Sequence, residues 1–169
     1  MTDTAAAEAC DRDLAPDPRI LPLRLRPEAL STVAAWCHGA WGALYPGDTV
    51  EDWRREIAAD AVGTGIPTVL LALVGEAPAG TASLVRHDLD GDPRTPWLAS
   101  VFVAPEMRGR GVASALVGAV ERHAAGLGVE RLHLFTPGQM ALYAGLGWTT
   151  VERRRYRGQA IEIMAKDLR

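Results

Sequence analysis

The stretch Val101-Phe-Val-Ala-Pro-Glu-Met-Arg-Gly-Arg-Gly-Val-Ala-Ser-Ala-Leu116 constrains the fold more than any other part of the chain. An apolar run, Trp97–Val103, feeds a glycine loop, and the loop opens directly into a segment of helical period. The run is apolar on both faces, which fits a strand at the centre of a sheet. Val112, Leu116, Val120 and Ala124 form one stripe of the helix, and Gly126 and Gly128 end it. A central strand joined to an amphipathic helix requires layers of sheet and helix.

The loop also carries chemistry. Gly109 and Gly111 reach backbone angles closed to other residues and let a ligand approach the main chain. The first amides of the following helix lack internal partners and sit at the positive end of its dipole. An anion such as a pyrophosphate docks at such an end. Arg108 and Arg110 add charge, and Ala113 and Ser114 are small enough for close approach. The same residues also read as a strand-to-helix turn in which the glycines serve geometry alone. A P-loop is absent. The dinucleotide fingerprint is half matched, with Ser114 in its third place, and Glu130 precedes the next strand instead of ending it. Only 55 residues follow Ser114, too few to complete a doubly wound sheet.

Around this unit the chain reads β, α, α, β, β, β, α, β, α, β, β. Ile20–Leu25 alternates as a first strand. Pro27 and Glu28 start a helix whose stripe is Leu30, Val33, Ala34 and Cys37, broken at Tyr45–Gly47. Asp48 and Thr49 cap a second helix to about Ala59, with Glu51 and Asp52 in its first turn. Thr68–Val74 is a continuous apolar run, hence a buried strand, and Ala79–His87 returns beside it. Asp88–Pro96 is a loop and Leu132–Phe135 a short strand. Thr136 caps a helix with Pro137 at its first position, ending near Gly145 or Gly147. Thr149–Tyr156 and Gln159–Asp167 form a hairpin around Arg157-Gly158. The fold class is α/β with a mixed sheet. Residues 1–18 read as an N-terminal tail and residues 19–169 as one domain.

Charge excludes some partners. Eighteen basic against 21 acidic residues leave a net charge of −3, which argues against a protein that coats nucleic acid. Cys10 and Cys37 have neither metal nor redox spacing, and two cysteines make no disulfide scaffold. No run approaches a membrane span, and the N-terminus has no signal pattern. The expectation is a soluble cytoplasmic protein with no nucleic-acid or membrane partner.

Arg108-x-x-Gly111-x-Ala113 on a strand-to-helix turn resembles the acyl-coenzyme A loop of the GNAT superfamily of N-acetyltransferases. Ala141-Leu-Tyr-Ala-Gly-Leu-Gly-Trp148 resembles that family's Leu-Tyr-x-x-x-Gly-Phe segment, with Trp148 in place of Phe. The order and spacing of the two blocks agree, and the resemblance spans roughly residues 19–168.

The resemblance implies a mostly antiparallel central sheet flanked by helices, with a splayed pair of parallel central strands. It implies acetyl-coenzyme A as co-substrate and a primary amine, on a small molecule or a peptide, as acceptor. The amine would attack directly with both substrates bound. Main-chain groups of Val101, Phe102 and Val103 would pair with the pantetheine arm. The amides of Gly109, Arg110, Gly111, Val112, Ala113 and Ser114 would hold the pyrophosphate beside Arg108. A backbone N–H near Val103 would polarise the carbonyl, and Tyr143 would protonate the departing thiolate. Many members carry Asn seven residues before this Tyr. Here that residue is Thr136, which either replaces it against the pantetheine or caps the helix. Tyr143 also reads as core, beside Met140, Leu142 and Leu146.

An alkylammonium of pKa about 10.4 must lose a proton before it attacks, so a base or water chain is required. Some members carry a Glu base on the strand before the Tyr. Here that strand offers His133 and Phe135, and no base is assigned. His133 reads as a packed or surface histidine before it reads as a base. His38, His87 and His123 are scattered, so no metal is expected. Asp88, Asp90 and Asp92 read as a solvated loop, or else as a negative rim that attracts a cationic amine. Trp36, Trp41, Tyr45 and Trp53 crowd the first two helices, which border the acceptor site in the GNAT fold. Arg153, Arg154, Arg155 and Arg157 read as a charge-guarded sheet edge. A homodimer is compatible with this reading. The rival from another class is a non-catalytic acyl-coenzyme A sensor.

Overall fold

The computed structural model describes residues 16–169, so most of the expected tail, with Cys10, lies outside the described residues. The described residues form seven strands and four α-helices in the order β1 (Arg19–Pro22), α1 (Leu30–Trp41), α2 (Val50–Ala61), β2 (Thr68–Val74), β3 (Ala77–Val85), β4 (Trp97–Val103), α3 (Val112–Gly126), β5 (Arg131–Thr136), α4 (Met140–Gly145), β6 (Thr149–Tyr156) and β7 (Gln159–Asp167). They form one sheet in the order β1-β2-β3-β4-β5-β7-β6. Every neighbouring pair is antiparallel except β4–β5. No helix among the described residues is long and apolar enough to cross a membrane.

Strand β2 shows how the layers form. Its continuous apolar run is buried along its whole length. Leu70, Ala72 and Val74 face one way, into a core with Leu116, Val117 and Val120 of α3. Val69, Leu71 and Leu73 face the other way, into a core with Val33 and Cys37 of α1 and Ala61 of α2. Period-two alternation therefore assigns each side chain to one helix layer. A third cluster, Leu89, Trp97, Ile161 and Ile163, closes the sheet under the final hairpin.

Local boundaries follow local chemistry. The first strand stops at Pro22, and Leu23–Leu25 tightens into a 3-10 turn instead of extending the ladder. Thr49 accepts from the Asp52 amide while Asp52 accepts from the Thr49 amide at 2.8 Å, the reciprocal pair that starts α2. Thr136 does not cap α4 directly. Its hydroxyl accepts from the amides of Gly138 and Gln139 in a turn that precedes the helix, which begins only at Met140. Gly138 and Pro137 are poor helix formers and delay its start.

The decisive irregularity is in β4. Ser83 of β3 pairs with Ala99, and Thr81 pairs with Phe102, so three steps on β4 answer two on β3. Ser100 supplies the extra residue, at a φ of 54°. A serine in that left-handed region is uncommon and mildly strained. The bulge resets the alternation. Leu98 packs on the α3 side; beyond the bulge Val101 also packs there, while Phe102 stacks on Trp36 of α1 at 5.5 Å. Bulged strands bend and twist more strongly, and this bulge follows the Trp97 pair with β5 by a few residues.

Candidate active site

Strands β4 and β5 share one pair, Trp97 with His133, and no other pair among the described residues. Beyond it the β4 edge that faces β5 has no ladder partner. A slot opens, and residues from both layers line one cavity of about 1110 Å³. Leu98, Leu134 and Tyr143 reach it from the α3 side, and Trp41, Tyr45, Trp53 and Phe102 from the α1–α2 side. A continuous sheet would keep these two sets apart.

The loop after β4 leads out of this cavity. Gly111 is the residue before α3, at a φ of 75°, and no side chain caps the helix. Ala115 is the first residue whose amide bonds back into the helix, at 3.0 Å to the Gly111 carbonyl. The amides from Gly109 to Ser114 have no protein acceptor among the described residues. Six donors at a helix N-terminus form a cradle for an anion. The Val112 side chain is buried in the core, so only its amide serves the cradle. Arg110 and Ser114 are exposed beside it.

Arg108 sits between the strand end and the cradle. Its amide donates to the Pro105 carbonyl at 3.4 Å and its Nε to the Val103 carbonyl at 3.3 Å. The side chain thus folds back on the end of β4 and lines the cavity there. The structure places Val101, Phe102, Arg108, Thr136 and Tyr143 on the cavity wall, and Val103 and Gly109 to Ser114 beyond it. The Thr136 oxygen is already engaged by two amides, which leaves its O–H to donate.

Tyr143 lies against Trp148, with ring centroids 6.3 Å apart. Burial pushes its hydroxyl up to about 12, so it is protonated at neutral pH. Transfer from such a phenol to the thiolate of an ordinary thiol, pKa about 8.5, is uphill by itself. As a neutral phenol on the cavity wall it can donate a hydrogen bond to a group bound there. Trp148 has its own reason to be Trp: its indole N–H donates to Glu121 at 2.9 Å, and Glu121 pairs with Lys166 at 2.8 Å.

Acidic groups crowd the wall, and several were hidden in the sequence. Glu56 and Asp60 of α2 are pushed up by burial, Glu56 also by Asp60 and Asp48. The Asp88–Asp92 loop is not simply solvated. Asp92 is buried and pairs with Arg94 and Arg154 at 2.7 and 2.9 Å. Asp90 accepts from Tyr156 and Arg157. Asp88 is half-buried, has no ion pair among the described residues, and is pushed up to about 7 by burial first and Asp90 second. The Trp53 indole N–H is buried without an acceptor. Only helix periodicity and loop composition announce these residues in the sequence, and neither says that they face one cavity.

The arginines of the last hairpin are likewise engaged. Strand β6 is a sheet edge, but Arg153 pairs with Glu162 and Arg154 with Asp92. Arg157 bonds Asp90 and the Leu44 carbonyl and lies 4.4 Å over the Tyr45 ring. It ties the final hairpin to both other segments at one end of the cavity.

This fold is shared with solved acetyltransferases. The chain is 14% identical to an aminoglycoside 6'-N-acetyltransferase complexed with coenzyme A, with a TM-score of 0.72 over 89% of this chain and 97% of that one. It is 14% identical to an N-acetyltransferase from Staphylococcus aureus Mu50, with a TM-score of 0.70 over 90% and 99%. It is 17% identical to yncA of Salmonella typhimurium, solved with its cofactor acetyl-CoA, with a TM-score of 0.65 over 90% and 94%. At such identities the likeness establishes the fold. No curated protein matches the chain in sequence. The family model "Acetyltransferase (GNAT) family" matches residues 30–148, and the chain belongs to that family. It is an acyltransferase.

Proposed function

We propose that the chain transfers an acetyl group from acetyl-coenzyme A to a primary amine on a small cationic molecule, with both substrates bound together. The observation that carries this reading is the slot. Unpartnered β4 main chain, an uncapped α3 N-terminus and a cavity that crosses the sheet follow one another along the chain. Solved neighbours of the same fold hold coenzyme A or acetyl-CoA, and one acts on aminoglycosides, which supports both halves of the reading.

The residues present fit such a carrier, because the cradle offers six free amides to a pyrophosphate. The open edge from Val101 to Phe102 would pair with the pantetheine amides, helped by the Thr136 hydroxyl. Acetyl-coenzyme A supplies an activated thioester. Holding the amine beside it removes the entropy of a two-body encounter. Tyr143 donates toward the sulfur. Asp48, Glu56, Asp60 and Asp88, without ion pairs among the described residues, give the cavity a negative field that draws in an ammonium.

The test is a thiol-release assay with acetyl-coenzyme A and a panel of diamines, amino sugars and lysyl peptides. Release with at least one small amine supports the reading. Tight coenzyme A binding without release from any amine overturns it in favour of a sensor.

A further inference from the structure

Six carboxylates reach the cavity wall, and they are not equivalent. Arg157 and Tyr156 hold Asp90, and Arg94 and Arg154 hold Asp92. Asp48, Glu56 and Asp60 lie on α2 or the turn before it. Asp88 stands elsewhere, in the loop that joins β3 to β4.

Its position is fixed by its neighbour. Leu89 is buried against Trp97, Ile161 and Ile163. Trp97 pairs with His133 at the closed end of the slot. Leu89 therefore pins the loop to that closed end, and Asp88 faces the cavity there, close enough for its charge to act on Tyr45. The anion cradle lies past the other end of β4. A seven-residue strand spans about 20 Å, so the two sites mark opposite ends of the slot. A carrier held by its phosphates at α3 and extended along β4 directs its far end toward Asp88.

We propose that Asp88 takes the proton that the acceptor's ammonium must shed before it attacks. This rests on the acetyltransferase reading above. The step balances as follows. The ammonium gives one proton to the Asp88 carboxylate and becomes a neutral amine. Its nitrogen lone pair forms the C–N bond to the acetyl carbon, and the C–S bond breaks with the electron pair on sulfur. Sulfur takes a proton from Tyr143, and the proton still to leave nitrogen recharges Tyr143. Asp88 returns its proton to solvent, so one proton is released per turnover.

The surroundings suit this role. Among the described residues Asp88 has no hydrogen-bond partner that would hold it as an anion. Tyr45 lies near enough to feel its charge, Asp90 of its own loop is held by Arg157 of the hairpin, and Asp48, Arg86, His87 and Gln159 line the same cavity. Burial acts on it most strongly, and the nearby Asp90 charge adds to that effect. A carboxyl that titrates near neutrality is a better base for an ammonium than one near 3.9.

Two measurements on the full chain test the proposal. In the first, carboxyl carbon resonances are followed against pH, with Asp88→Asn to assign the signal and 1,4-diaminobutane as probe. One aspartate is expected to titrate near 7, to vanish in the variant, and to fall by a unit or more with the probe. In the second, turnover is followed against pH with any amine that the wild-type chain accepts. Asp88→Asn is expected to lower kcat at least 100-fold and remove the limb near pH 7. KM for acetyl-coenzyme A should stay within twofold, and Asp88→Glu should restore part of the rate. Turnover and pH profile unchanged in Asp88→Asn, or an Asp88 carboxyl that titrates in the ordinary range, overturns the assignment alone. No thiol release by the wild-type chain from any amine overturns the acetyltransferase reading, and this proposal with it.

Discussion

Trp97 and His133 stand opposite each other where β4 and β5 meet: the His133 amide donates to the Pro96 carbonyl at 3.1 Å, and the two rings are 5.7 Å apart. This contact is the point from which the strands diverge. Burial pushes the His133 imidazole down, so at neutral pH it is an uncharged packing group. It acts as the closed corner of the slot, and His133→Gln should leave the pH profile of turnover unmoved.

Gly80 lies opposite the end of β4, where a Cβ would meet the Phe102 carbonyl at 2.5 Å and Leu116 and Val112 at 3.1 and 3.2 Å. Backbone cannot yield as a side chain does. Gly80→Ala should destabilise the chain by about 1–3 kcal/mol, the usual range for overpacking. Urea denaturation measures it, and a loss below about 0.5 kcal/mol would show that β3 shifts freely.

Gly111 has open space around it, so its substitution isolates the backbone angle. Gly111→Ala should cost about 1 kcal/mol, a fall of roughly 2–4 °C in Tm. It should also weaken coenzyme A binding at least tenfold, because the cradle amides turn with that residue. Calorimetric titration with coenzyme A reads the second effect, and unaltered affinity would remove the cradle from the site.

Tyr143→Phe deletes a hydroxyl that makes no hydrogen bond to the described residues, so stability should change by less than about 0.5 kcal/mol. Turnover should fall at least tenfold while coenzyme A affinity is kept. Equal turnover under saturating amine would return Tyr143 to a packing role.

Asp88 also leaves a mark on stability. Its carboxyl is pushed up from 3.8 to about 7, so the folded chain holds this proton more tightly than the unfolded chain does. The stabilisation is complete below about pH 4 and is lost as pH rises through 7, with a slope of at most about 1.4 kcal/mol per pH unit. Asp88→Asn lacks this slope. It should be more stable than the wild type at pH 8, relative to the same comparison at pH 4. Parallel stability curves for the two proteins would contradict this.

Periodicity made most of the fold legible. The alternation along β2 and the stripe along α3 are written in residue types, and Thr49 and Asp52 mark a helix start that the structure keeps. The glycine loop was legible too, since Gly109 and Gly111 mark a strand-to-helix turn at positive φ. The bulge was not, because a serine at positive φ has no compositional signature. The acidic wall was legible only in part. Asp88 lay in a loop that read as a solvated segment or a negative rim, but Glu56 and Asp60 belong to α2, and only the tertiary fold points both segments into one cavity. Arg108 shows a further limit: charge beside a cradle suggested phosphate, and the Nε contact with the Val103 carbonyl could not be read from residue types.

The extra residue at Ser100 makes the aperture a matter of counting. Remove one residue from that part of β4 and the even rhythm returns: Phe102 crosses to the α3 side, its stack on Trp36 is lost, and nothing bends the strand away from β5. Point changes alter what the opening holds; the length of one strand decides that there is an opening at all.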